Sequence, residues 1–279
     1  MRVSGFTIVK NGVKLGYPMV ESIRSILPVC DEFIVSVGKS EDNTLDVIRS
    51  LKDPKIRIIE TVWNQSQGCT VLSEQTNIAL KECKGDWAFY LQTDEVVHEA
   101  DLPKLKRRMK ESLDDLQVDA LRFKWFHFYG SHFRYRVDHG WYQKQDRIIR
   151  NNGTVESYGD AYAFKRRDGQ PLKTRNTGAY IYHYGWVMSA EQQAVRRINS
   201  GEIWNVDRSV EKNTGRYEFG DLNRFPVYFG LHPSVMKERI KSHALSQQDG
   251  RVIRKKFWWN PFYWWKVRYK TFRRIKQKM

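Results

Sequence analysis

The chain has 279 residues, 41% of them hydrophobic and 14% aromatic, and its 48 Lys and Arg against 32 Asp and Glu give a formal charge of +16. That length and apolar content suit one large domain or two intimately packed halves and exclude an intrinsically disordered chain. Three cysteines, Cys30, Cys69 and Cys83, are too few and too unpatterned for a disulfide framework or a zinc site, so a reducing compartment is implied. Cys30 and Cys83 read as small buried hydrophobes near helix ends. The N-terminal MRVSGFTIVKNGVK has no apolar run of signal-peptide length, and no stretch reaches the roughly 20 apolar residues of a membrane span, so a cytoplasmic location is expected.

Strand and helix signals alternate from the start. Val3–Val9 is an apolar run of strand length; a polar turn at 10–12 leads to Met19, Val20, Ile23, Ile26 and Leu27 at helical spacing, with Pro18 at the first turn. A second strand at 33–37, a helix at 44–51, a third strand at 56–59, a helix at 73–81 and a fourth strand at 87–91 follow. Such alternation implies crossover connections and a mainly parallel sheet covered on both faces. Neither common phosphate loop is present, since no GxGxxG follows a strand and GxxxxGK[ST] does not occur.

A helix at 102–116 closes the first half. The texture then changes to ALRFKWFHFYGSHFRYRVDHGWYQKQDRIIR, read as a sheet extension with a long loop that forms the second wall of a cleft. A strand at 179–184 precedes a helix at 190–198, with Gly201 as its stop signal.

The most informative stretch is GDWAFYLQTDEVV. Its apolar strand ends in Gln92-Thr93-Asp94-Glu95, which places two carboxylates at the carboxyl end of a buried strand, where open α/β sheets bind ligands. Carboxylates there suit a hard divalent cation held against a diphosphate, whereas the plain alternative is a polar turn closing a strand. Arg147 and Arg150 of QDRIIR are candidate clamps for a diphosphate or an acceptor, or else surface arginines beside a strand. His127, His132 and His139 show no metal-ligand spacing and fit hydrogen-bonded packing roles in an aromatic-rich region.

Together these residues resemble the inverting family 2 glycosyltransferases of the GT-A fold, of the bacterial lipopolysaccharide-core and surface-glycan type, over about residues 3–200. Four elements carry the resemblance in order: FTIVKNG, SEDNTLDVI, LSEQTNIALKECKGDWAFYLQTDE and YHYGWV. The resemblance implies an α/β GT-A (Rossmann-like) mixed, mainly parallel sheet flanked by helices, to which the tail's own residues add a C-terminal amphipathic helical extension. The domain would span 1–235, with a nucleotide-binding half at about 1–118 and an acceptor half at 119–235, and the tail would span 236–279. It further implies that Thr7, Val9 and Asn11 line the nucleotide, that Asp42 faces its base or ribose, and that Asp94, Glu95 and His183 meet a divalent metal, Mg²⁺ or Mn²⁺. Two departures stand out. Gln92 replaces the first Asp of the family's DxD block, and VGKSED replaces DDGSTD.

Displacing a nucleoside diphosphate from an anomeric carbon requires positive charge on the departing phosphates and a base for the acceptor hydroxyl. The family places that base after the RIIR-like strand, where GTVESYGDAY offers Glu156 and Asp160; Asp160 is favoured because it follows Gly159 as the family's acid follows a short turn. The expected activity is sugar transfer from a nucleotide sugar to a glycan or lipid-linked acceptor. The alternatives are a nucleotidyltransferase of similar architecture and a non-catalytic membrane- or nucleic-acid-binding module.

Residues 251–279 hold eleven Lys or Arg and no acid, which leaves the first 250 residues at only +5. From Asn260-Pro261 onward, Phe262, Trp265, Tyr269 and Phe272 would share one helix face. With Trp258, Trp259, Trp264, Trp265, Lys255 and Lys256, the run reads as an interfacial anchor on the inner face of the cytoplasmic membrane. Packing back on the globule and single-strand nucleic-acid binding compete with that reading. Charge confined to a tail argues against nucleic acid.

Overall fold

A computed structural model describes residues 1–243 other than 65, 67 and 139. His139 and the basic, tryptophan-rich run with Lys255, Lys256, Trp258, Trp259, Trp264 and Trp265 lie outside the described residues.

The first half follows the alternation in the sequence: β1 (Val3–Val9), α1 (Met19–Ile26), β2 (Glu32–Gly38), α2 (Thr44–Arg49), β3 (Ile56–Thr61), α3 (Thr70–Lys81) and β4 (Trp87–Tyr90). The four strands pair in parallel in the order β3-β2-β1-β4. Every residue of β1 and β4 is buried, as expected of central strands covered on both faces. Helix α1 turns Met19, Ser22, Ile23 and Ile26 inward at the 3.6-residue period. It gives way to a short 3₁₀ turn over Leu27–Val29, which contains Pro28.

The second half contains β5 (Glu95–Val97), α4 (Leu102–Leu113), β6 (Ala120–Tyr129), β7 (Ser131–Arg136), β8 (Lys144–Arg150), β9 (Val155–Tyr158), β10 (Ala163–Arg166), β11 (Thr174–Trp186), α5 (Ala190–Trp204), α6 (Ser209–Thr214) and α7 (Lys237–Ser242). The sheet continues β4-β8-β6-β11-β5, with β7 on β6 and a separate β9–β10 hairpin. Antiparallel pairing enters with β8, which runs against both β4 and β6, while β6 and β11 are parallel. The mixed sheet flanked by helices is the expected fold class.

Strand β5 was not foreseen, because Glu95–Val97 is too short to show a period. It begins a few residues after β4 ends, yet it pairs with β11 at the opposite edge of the sheet. Four residues can bridge that gap only because the sheet curls until its far edge meets the end of β4.

Two boundaries differ from the sequence reading. Gly201 does not stop α5, which runs to Trp204 and ends at Asn205 in the left-handed region (φ 50°), its N–H donating to the Gly201 carbonyl. Gly201 is small for a different reason: a Cβ there would stand 2.5 Å from Arg208 Cγ and 2.8 Å from the Val206 carbonyl oxygen as the chain doubles back. The domain edge drawn at 235 also moves. Met236 is fully buried among Val96, Phe128, Tyr182 and Tyr228, and Arg239 of α7 pairs with Glu21, so the globule includes α7.

Candidate active site

A cleft of about 420 Å³ opens at the carboxyl ends of β1 and β4. Its floor is Val9, Lys10 and Asn11 after β1 and Gln92, Thr93 and Asp94 after β4; Asp160 and Tyr162 line one wall and α5 another. Asn11 adopts φ 52°, a region Asn tolerates, and is tied to the β2–α2 turn by its N–H to Ser40 Oγ (3.0 Å) and by its Oδ1, which accepts from the Glu41 N–H (2.8 Å).

Asp94 is the centre of this floor. Its Oδ2 lies 3.5 Å from His183 Nε2 on β11 and 3.7 Å from Arg196 Nη2 on α5. Burial alone would raise its pKa, but the charges of His183 and Arg196 outweigh burial and hold the carboxyl down at about 2.

The hydrogen on Nδ1 of His183 follows from its neighbours. His127 Nε2 is 2.7 Å from the Tyr142 carbonyl oxygen, which can only accept, so Nε2 carries the hydrogen. Burial, together with His183 beside it, pushes the His127 pKa down to about 3, so the ring is neutral and its Nδ1 accepts. His183 Nδ1, 3.2 Å away, must then donate, which turns Nε2 of the same ring toward Asp94. Asp94 Oδ2 and His183 Nε2 so placed can share a proton or, once Nε2 has lost its hydrogen, a cation.

An oxygen and an imidazole nitrogen suit Mn²⁺, with its other positions left to phosphate oxygens and water. Among the described residues no group of three His, Cys, Asp or Glu could hold a metal unaided. The residues therefore fit an ion that is bound jointly with a diphosphate.

Arg196 is 7% exposed and lies 3.9 Å from the Tyr17 ring centroid, with Nη1 donating to the Gly185 carbonyl. Its Nε and Nη2 are buried without a hydrogen-bond partner, and so is Oε1 of Gln193, three residues earlier on the same cleft-lining face. The Arg196 donors, Nη2 already within ion-pair distance of Asp94, border the cleft and suit a charged acceptor group such as phosphate.

Several expected residues serve the fold instead. Glu95 is not positioned as a metal ligand: it is fully buried and both its oxygens accept from Arg147, Nε to Oε2 and Nη2 to Oε1 at 2.7 Å each. Arg147 is not a diphosphate clamp, since its Nη1 also donates to the Asp146 and Tyr162 carbonyls. Arg150 caps the end of α4, donating to the carbonyls of Ser112, Leu113, Asp115 and Val118 from a position over the Trp87 ring. Asp42 lies outside the cleft lining and holds the Lys14 and Thr44 N–H groups at 2.7 and 3.0 Å. Glu156 pairs with Lys165 and Arg167 on the β9–β10 hairpin, away from the cleft. Thr7 is buried one residue too deep, and the lining begins at Ile8.

Val9, Asn11, Gln92, Asp94 and Asp160 do converge on the cleft, with His183 behind Asp94. Gln193 and Arg196 were missed, whereas His127 is hydrogen-bonded in an aromatic setting as expected and Gly185 belongs to the YHYGWV element. The signal available for the first two was the three-residue spacing of Gln193 and Arg196 on one helix face.

The sequence model of glycosyl transferase family 2 matches residues 9–168, more than half of the chain. The chain belongs to glycosyl transferase family 2. No match is found among curated protein sequences. Among solved structures, Staphylococcus aureus TarS aligns with 74% of this family 2 chain and 40% of its own, at 18% identity and a TM-score of 0.43. TarS 1–349 in complex with UDP-GlcNAc aligns over 74% and 68% at 18% identity and 0.44. The mannosyltransferase PcManGT from Pyrobaculum calidifontis, in complex with GDP-Man and Mn²⁺, aligns over 43% and 34% at 20% identity and 0.33. The present chain thus spans less than half the length of the full TarS chain.

Proposed function

We propose that this family 2 transferase moves a sugar from a nucleoside-diphosphate donor to a hydroxyl of a glycan acceptor, with inversion at the anomeric carbon. The observation that carries the reading is the cleft whose floor holds Asp94, with His183 Nε2 behind it and Arg196 beside it, and with Asp160 on another wall. A diphosphate lying along the floor would bring its oxygens to Arg196, whose fork neutralises charge that builds as the bond to the sugar breaks. Asp94 and His183 would hold Mn²⁺ or Mg²⁺, and the ion would supply further charge neutralisation on the phosphates. Asp160 takes the proton of the acceptor hydroxyl as it attacks from the face opposite the leaving group. Tyr142, Tyr162 and Trp186 give the cleft an aromatic lining that excludes water around the donor.

The acceptor is read as lipid-linked, in surface-polysaccharide or lipopolysaccharide assembly at the inner membrane. That reading is supported by the composition of residues 251–279, whose eleven bases and four tryptophans suit an anionic headgroup layer. No helix among the described residues is long and apolar enough to cross a membrane.

The test offers UDP-GlcNAc, UDP-glucose, UDP-galactose and GDP-mannose in turn with Mn²⁺ and follows nucleoside diphosphate release. One of them is expected to be turned over. Asp94→Asn should abolish release in a folded protein, and Asp160→Asn should lower turnover about 10²- to 10⁴-fold with donor affinity retained. Full activity of Asp94→Asn would sink the site assignment, and a loss confined to donor affinity in Asp160→Asn would remove Asp160 as the base.

A further inference from the structure

The turn that carries Asp160 is held in a shape it would not keep alone. Gly159 and Ala161 flank it, both at φ 61°, and for alanine this is a region that side chains with a Cβ rarely adopt. Two side chains from other elements hold the carbonyls that follow. Gln92 Nε2 donates to the Ala161 oxygen at 3.2 Å, and Arg147 Nη1 donates to the Tyr162 oxygen at 2.9 Å.

Both holders are themselves fixed. The Gln92 N–H donates to Glu95 Oε2 at 3.1 Å, and its carbonyl accepts from Ser22 Oγ at 3.0 Å. Glu95 in turn clasps Arg147 with both oxygens. The residue that departs from the family's DxD block is therefore joined, through one rigid frame, to the wall opposite the diphosphate floor.

We propose that Gln92 is a positioning residue for Asp160, acting by its carboxamide N–H on the Ala161 carbonyl; the proposal rests on the reading of Asp160 as the base. An aspartate at 92 has no N–H and is one methylene shorter, so it could neither reach nor bond that carbonyl. The exchange of Asp for Gln gives up a carboxylate near the phosphates and gains a strut across the cleft. Gln92 need not touch the donor for this role. Its effect is on where Asp160 stands when the acceptor hydroxyl arrives, and misplacement by about 1 Å is enough to cost about 10²-fold in rate.

The experiment uses the full chain and whichever of the four sugar nucleotides named above is turned over with Mn²⁺. Gln92→Glu places an oxygen where the N–H was, facing the Ala161 carbonyl. It should lower kcat about 10- to 100-fold and speed deuterium exchange at the amides of 160–163, and the uncharged Gln92→Met should do so with the donor KM within about twofold. In an Asp160→Asn background the same change should cost no further activity, because a positioning residue has nothing left to position. Gln92→Met, apolar and of similar length, should reproduce the loss and carries the test if Gln92→Glu fails to fold. The proposal is overturned by wild-type kcat in Gln92→Met, by an equal fold-loss with and without Asp160, or by an effect on KM alone. Full activity of Asp160→Asn by itself would instead overturn the base assignment on which the proposal stands.

Discussion

Gly185 leaves no room for a side chain beside Asp94: a Cβ there would stand 2.7 Å from Asp94 Oδ2 and 2.6 Å from His183 Nε2. The glycine is required by this close approach. Gly185→Ala should push the carboxylate and the imidazole apart, at about 1–3 kcal/mol of stability and about 10²-fold in turnover, with the response to Mn²⁺ weakened. Turnover and melting measured across a Mn²⁺ series check this. Wild-type turnover with an unchanged Mn²⁺ response would show that the pair does not act together.

Arg196→Lys retains a positive charge but not the planar fork. With Nε and Nη2 of Arg196 buried and making no hydrogen bond, affinity for UDP or GDP should fall roughly 10- to 100-fold. Titration of each nucleotide in the presence of Mg²⁺ decides, and unaltered affinity would place the diphosphate elsewhere.

Glu95→Gln should behave as a core mutation. Breaking a fully buried, doubly bonded ion pair costs about 3–5 kcal/mol, because Arg147 is left charged without its partner. Exchanging both residues for neutral ones, as in Glu95→Gln with Arg147→Met, should recover a large part of that loss in urea unfolding. A Glu95→Gln protein of native stability that no longer responds to Mn²⁺ would restore Glu95 as a metal ligand.

Acidification should destabilise the fold well before it reaches the carboxylates. Burial holds His127 and His232 at about 3 and His132 well below the ordinary value, so each is neutral in the folded protein but free to bind a proton when unfolded. The unfolded state then binds more protons below about pH 6.5, and stability falls with pH by up to about 1.4 kcal/mol per unit for each histidine. Asp94, with a folded pKa of about 2, contributes stability that is present above about pH 4 and lost only as the pH approaches 2. Urea midpoints at pH 7 and pH 5 should therefore differ markedly, and His232→Phe should flatten the dependence. Equal midpoints would show that these rings are charged in the native state.

The parallel half was legible because its signals are local. The apolar run of β1, the helical spacing of α1 and the polar turn after β4 each declare themselves within about ten residues. The partners of the charged residues were not legible. Arg147 and Glu95 lie 52 positions apart, and only the curl of the sheet reveals that each satisfies the other. The same holds for His127, whose link to His183 is a cross-strand register between β6 and β11 rather than a spacing. Gly201 carried a real helix-stop signal, but the steric demand of Arg208 and Val206 accounts for it instead.

The placement of β5 at the far edge of the sheet sets the order in which this site comes into being. Asp94 belongs to the first half of the chain, yet the charged groups beside it arrive with His183 and Arg196. In a chain made from its N-terminus, β1 to β4 can pair and form the floor of the groove before either residue exists. Until β11 docks beside β5 and α5 follows it, neither group stands beside the Asp94 carboxylate, so the cleft acquires its floor before it acquires the charges around it.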